Sequence, residues 1–289
     1  MIHLIASICC ATCIFLVFKV FEKFGIHTLY AIITNYLTAA FVGLAFYSGP
    51  TRIQDIEAQN WIIQAVLLGI LFIVVFNLIA LTSQKMGVSA ASVATKMSLI
   101  IPVILAVLLH GETLDGIKIS GVVVALAAVF LASHKASQQI QHKNHRLVYL
   151  PVLVFLGSGI IDASLKYMEE TRVPAAEFPL FSAGIFASAA FSGILFSTFR
   201  QKAGFPKIAL KDIFGGIALG VPNFFSVYFL LQALQFKGLN SVSIFTLNNV
   251  SVVLLTTLLG ILLFKERLSA KNWSGVLLAA LSIILVGFF

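Results

Sequence analysis

Of 289 residues, 60% are apolar and only 10% are charged, and the mean hydropathy is +1.03. A soluble domain carries roughly 25% charged residues, so the composition predicts a polytopic membrane protein with the lipid bilayer as its surroundings. The net charge of +8 does not point to nucleic acid, because the basic residues are scattered through short loops between apolar segments, where positive-inside topology accounts for them.

Ten apolar segments follow one another. They run from Ile2 to Phe21, Thr28 to Tyr47, Trp61 to Thr82, Val88 to Leu109 and Ile117 to Ala132. After a polar linker over 134–146 they resume at Leu147 to Met168, Phe178 to Phe199, Ile213 to Leu234, Leu239 to Phe264, and Asn272 to the terminus. Each predicts a helix, because a span in lipid must satisfy its own backbone hydrogen bonds. The first lacks a basic stretch ahead of it and is longer than the apolar core of a signal peptide, so it is expected to stay as the first membrane helix. Cys9, Cys10 and Cys13 all lie in it. Cys10-x-x-Cys13 has redox spacing, but without a second cluster it reads as small packing residues.

The linker divides the chain into 1–133 and 147–289, and the two parts repeat. Glu112-Thr-Leu114, Ser120-Gly121-Val122 and Ala125 return as Glu266-Arg-Leu268, Ser274-Gly275-Val276 and Ala279. Gln84-x-x-Gly87 and Ser92 return as Gln235-x-x-Gly238 and Ser243, Gly69 returns as Gly220, and Lys19-x-x-Glu22 as Lys166-x-x-Glu169. A repeat with an odd number of spans enters the membrane from the opposite side in its second copy. The fold expected is therefore ten transmembrane helices as two inverted five-helix repeats, an architecture of many secondary transporters.

Lys96 lies nine residues past Gly87. At about 1.5 Å per residue that is ~13 Å of rise, near the middle of a ~30 Å hydrocarbon layer. A charge at that depth marks a functional site or a buried pair. Asp162, eleven residues past Pro151, is at similar depth. It is read as a ligand for a substrate amine or a carrier of a coupling proton, or else as the structural partner of Lys96. Lys19 and Lys166 fall about one turn from the ends of their helices, where a lysine reaches the interface, and their paired positions leave room for a gate. Gly220-Val221-Pro222-Asn223 predicts a break in the eighth helix that frees carbonyls and presents Asn223. Asn248 and Asn249 are mid-depth in the ninth; they point some 100° apart, so one of them faces the interior squarely. Asn35 and Tyr36 are weaker candidates in the second. Glu112 and Glu266 end their helices and read as turn residues.

Ten spans, two five-helix halves and the pattern Pro102, Glu112, Leu114, Gly121 resemble the EamA family of the drug/metabolite transporter superfamily. The second half keeps Glu266, Leu268 and Gly275, with Val253 where the proline would stand. The resemblance implies a transporter of small metabolites, amino acids among them, in which helices one, three, four, six, eight and nine line a cavity. By it Lys96, Asp162, Asn223 and Asn249 reach that cavity. It also implies cytoplasmic termini, whereas the loops leaving odd-numbered segments hold 13 basic residues against 5 for the even-numbered, which places the termini outside.

The sequence thus predicts a secondary active transporter in the cell membrane, the inner membrane if the host is a Gram-negative bacterium. Its partners are a small organic solute and a candidate coupling proton, and both a monomer and a homodimer are compatible with it. No G-x-x-x-x-G-K-[ST] motif is present, and no cofactor is called for. The first span holds no carboxylate before Glu22, which argues against the mechanism of the small multidrug exporters. An intramembrane enzyme is disfavoured because the six histidines lie in loops or at termini. A lipid flippase or a non-transporting subunit of the same fold is the alternative.

Overall fold

The computed structural model describes residues 1–86, 94–110, 115–132, 149–201, 208–264 and 269–288. The linker 134–146, Glu112, Leu114, Glu266, Leu268 and the small residues 88–93 lie outside the described residues. Within them the chain forms α1 (Ile2–Phe24), α2 (Thr28–Phe46), α3 (Ile62–Met86), α4 (Ile100–His110), α5 (Gly116–Ala132), α6 (Tyr149–Thr171), α7 (Phe178–Gln201), α8 (Leu210–Leu234), α9 (Ser241–Phe264) and α10 (Ala270–Phe288), with no strand. Six of these helices contain a stretch long and apolar enough to cross a membrane, and four shorter apolar stretches lie in the others.

The fourth segment is not one continuous helix. Residues 94–97 form a helical turn, Ser98 and Leu99 a turn, and α4 starts at Ile100. Pro102 is the cause. It has no N–H to give to the Ser98 carbonyl, and its ring crowds that carbonyl. The chain answers with local bonds of shorter reach: Ile101 N donates to Ser98 O at 2.9 Å, Leu99 N to Lys96 O at 3.5 Å, and Ser98 Oγ to Thr95 O at 2.6 Å. The break predicted for the eighth segment does not occur, since α8 runs unbroken through Pro222. A single missing donor is tolerated when neighbouring helices enclose the gap.

Two compact units are formed, each from both parts of the sequence. The first comprises 1–74 and 164–235. Its core includes Phe21, Ala31 and Leu219, with Ile14, Val17 and Phe18 of α1 packed on them. α2 and α8 run side by side in the same direction because glycines let the backbones meet. A Cβ at Gly216 would lie 2.7 Å from the Ala31 carbonyl, and one at Gly220 2.6 Å from that of Asn35. α2 and α7 run antiparallel, with Gly43 against Ala183, Gly193 against Ile33, and the Tyr36 and Phe186 rings stacked 5.9 Å apart between them.

These contacts carry a two-fold relation. Thr38-Ala-Ala-Phe-Val-Gly43 of α2 corresponds to Ser188-Ala-Ala-Phe-Ser-Gly193 of α7, 150 residues later, a match the sequence reading passed over. Gly220 on α8 seats against Thr38 with its Cβ position 2.6 Å from that residue's Cβ; Gly69 on α3 seats 2.6 Å from the Cβ of Ser188. Equivalent glycines therefore meet equivalent residues. The stacked Tyr36 and Phe186 are themselves equivalent positions.

The second unit comprises 75–163 and 236–289. α5 and α10 pack along one another around Ala125, Ala128 and Ala279, and Ser282 Oγ donates to the Gly121 carbonyl at 3.0 Å. α9 joins them through Val250 and Val253, and Leu99 and Val103 meet Val242.

Any side chain larger than hydrogen at Gly220 or Gly69 must push a backbone away. Gly220→Val and Gly69→Val are each expected to destabilise the folded protein by about 1–3 kcal/mol, the cost of overpacking a filled interior. Thermal unfolding in detergent measures it, and the two-fold relation requires losses of similar size.

Candidate functional site

The second unit gathers three of the residues singled out in the sequence. Lys96 closes its helical turn just before the Pro102 interruption and is buried, 9% exposed. Its Nζ donates to Asn249 Oδ1 of α9 at 3.1 Å. Asn249 Nδ2 in turn donates to the Phe245 carbonyl at 3.1 Å, which fixes which end of the amide faces the lysine. The half-buried carboxylate of Asp162 on α6 acts on Lys96 through its charge, and Lys96 on it. Of the adjacent asparagines, Asn249 bonds the lysine and Asn248 is buried beside it in sequence. Residues 241–250 of α9 are buried on every side and carry Ser241, Ser243, Thr246, Asn248 and Asn249. A polar helix surface enclosed in this way builds an interior polar site rather than a lipid-facing one.

Asn35 and Asn223 belong to the first unit, where they meet each other: Asn223 Nδ2 donates to Asn35 Oδ1 at 3.1 Å. Both are buried, and Asn35 Nδ2 has no hydrogen-bond partner among the described residues. Lys166 Nζ sits 3.2 Å from Glu169 Oε2 and 3.5 Å from Glu170 Oε2. Gln235 Nε2 at the end of α8 donates to Glu169 Oε1, so the end of α6 is tied to the end of α8. The side chain of Lys19 lies outside the described residues.

Two further buried carboxylates escaped the sequence reading. Glu177, just ahead of α7, accepts from Trp61 Nε1 at 2.7 Å and from Thr51 Oγ1. It pins the loop before α3 to the start of α7. Asp212, in the first turn of α8, accepts from the backbone N–H of His27 at 2.7 Å and of Ala209 at 2.9 Å. It thereby satisfies the starts of both α2 and α8. The signal available in the sequence was an acidic residue at the first turn of an apolar run, which favours a helix start.

A lysine and a carboxylate held among amides and hydroxyls, inside a bundle of apolar helices, define a multi-pass membrane protein with an interior polar site. The sequence model of the EamA-like transporter family matches residues 1–134. An uncharacterized protein of Haemophilus influenzae is 30% identical over 283 residues, 95% of this chain and 94% of that one. The chain belongs to the EamA-like transporter family and is a membrane transporter of the drug/metabolite superfamily. A protein of known crystal structure shares the fold, with a TM-score of 0.74 and 14% identity over 99% of this chain and 98% of the other.

Asn249→Leu removes the acceptor of a buried ammonium. It is expected to cost about 1–3 kcal/mol, the penalty of leaving a buried donor unpaired. Adding Lys96→Met to it is expected to recover part of that loss, read as a double-mutant cycle of thermal unfolding.

Proposed function

We propose that the protein is a secondary active transporter that carries a small organic metabolite, an amino acid or a similar solute, across the cell membrane by alternating access. The observation that carries this reading is the buried Lys96–Asn249 pair with Asp162 acting on the same ammonium. A buried ion costs several kcal/mol to desolvate, and an amide partner stabilises it without neutralising it. An anionic group on a solute would meet the Lys96 ammonium, and a basic group would meet Asp162. Such a site suits a zwitterion. Asp162 is also the group in position to take a coupling proton.

The sequence repeat and the equivalent seating of Gly69 and Gly220 in the first unit favour two inverted five-helix halves, the architecture that exposes a central site to each side in turn. Lys166, tied to Glu169 and through it to Gln235, has the position of a gate. Asn35 and Asn223 remain candidate solute ligands, the first with donors to spare. With no phosphate-cradling motif in the chain, the energy source is a solute or proton gradient.

The test is a thermal-shift screen of purified protein in detergent against amino acids, sugars, nucleosides and organic acids. A solute at a hundred times its dissociation constant is expected to stabilise the wild type by ~2.7 kcal/mol. Lys96→Met is expected to remain folded and to lose that shift. Retention of the full shift in the folded variant would remove Lys96 from the site.

A further inference from the structure

Ser158 stands in the middle of α6 between two glycines, as Gly157-Ser158-Gly159. Its neighbours fix its direction. A Cβ at Gly157 would lie 2.5 Å from Val75 Cγ2 of α3, and one at Gly159 would lie 2.7 Å from Ile101 Cβ of α4. Successive side chains on a helix are about 100° apart, so the Ser158 side chain leaves the helix about 100° away from each of these two contacts. Asp162, four residues on, is rotated only about 40° from it, towards the side of α4.

The hydroxyl is 93% buried, at 7% exposure, and has no hydrogen-bond partner among the described residues. Thr12, Ser182 and Ser243 are likewise buried hydroxyls without a partner among the described residues, but Ser158 alone of these stands one helical turn before a buried-site carboxylate, Asp162. A serine or threonine inside a helix ordinarily bonds back to a carbonyl three or four residues earlier. Ser98 does so to Thr95, Thr246 to Val242 and Thr256 to Val252, all in the same unit. Ser158 has the carbonyls of Val154 and Phe155 within the same reach and uses neither. A buried hydroxyl left without a bond is costly unless something else bonds it.

We propose that Ser158 and Asp162 together form a subsite for a primary ammonium group, on the α6 side of the Lys96 site. The ammonium has three donors. The Asp162 carboxylate accepts one and balances the charge, and Ser158 Oγ accepts another. Lys96 and Asn249 are left for the opposite end of the ligand. The proposal rests on the reading of the Lys96 cluster as the solute site, and it adds Ser158 as a residue that sets specificity.

The experiment places one cysteine at the subsite, Ser158→Cys, in a chain whose Cys9, Cys10 and Cys13 are replaced by alanine. The folded protein is treated with two thiosulfonate reagents of equal size, one carrying an ammonium and one a sulfonate. A subsite of this kind is expected to react with the cationic reagent about tenfold faster or more, the scale on which a charged cleft raises association rates. With Asp162→Asn added, the two rates are expected to converge. A second variant, Ser158→Ala, is expected to leave the midpoint of thermal unfolding of the ligand-free protein unchanged or raised, since it removes a hydroxyl with no bond to lose.

No reaction with either reagent, or equal rates with Asp162 in place, would overturn the proposal. So would a clear fall in the melting midpoint of Ser158→Ala, which would show the hydroxyl to be bonded within the protein. A charge-selective reaction that depends on Asp162 supports the subsite even if no solute in the thermal-shift screen binds. A Lys96-dependent solute combined with an unreactive position 158 sinks the subsite alone.

Discussion

A backbone amide surrounded by hydrocarbon has no water to turn to. That constraint underlies most of what the described chain does. It makes each apolar segment helical, and it decides how the chain handles its prolines. Pro102 interrupts the fourth span, and the carbonyls it would strand are taken up by Ile101 N–H, Leu99 N–H and the Ser98 hydroxyl. Pro222 leaves α8 intact. The same constraint makes helix starts places for carboxylates: Asp212 takes up the free N–H groups of two helices at once. Glycines then let backbones meet, which supplies the packing that lipid cannot drive by hydrophobicity.

Against this background the Lys96 ammonium is an exception that must be explained. Long lysines near a helix end reach water by extending. Lys96 instead ends on an amide deep in its unit, beside an interruption in its own helix. The turn at Ser98–Leu99 follows the lysine by two residues, and its carbonyls are taken up by local bonds. The polar first turns of α9 close around the lysine. Groups that hydrocarbon would penalise are here collected in one place, buried together inside the second unit.

Symmetry and its violation divide the labour. The first unit keeps the repeat closely: equivalent glycines seat on equivalent residues, and the equivalent rings of Tyr36 and Phe186 face one another. The polar site breaks it, for the repeat position of Lys96 holds Leu247 and that of Ser98 holds Asn249. A second lysine at the repeat position, now Leu247, would add another buried charge to the same helix as Asn249 and need its own partner.

The sequence alone determined the order of the apolar helices, the membrane setting, and the pairs of matching motifs in its two parts. All of these follow from one-dimensional patterns, namely runs of apolar residues and fixed offsets. It left open what each polar residue meets. That Asn249 takes Lys96, that Asn223 turns to Asn35, that Glu177 pins a loop and that Asp212 holds two helix starts are facts of register between helices far apart in the chain. The helix is interrupted ahead of Pro102 and continuous through Pro222, although both prolines lack the same donor. Only tertiary packing decides such pairings, because a helix presents polar groups on a face, and the partner is set by which helix the glycines allow to come close.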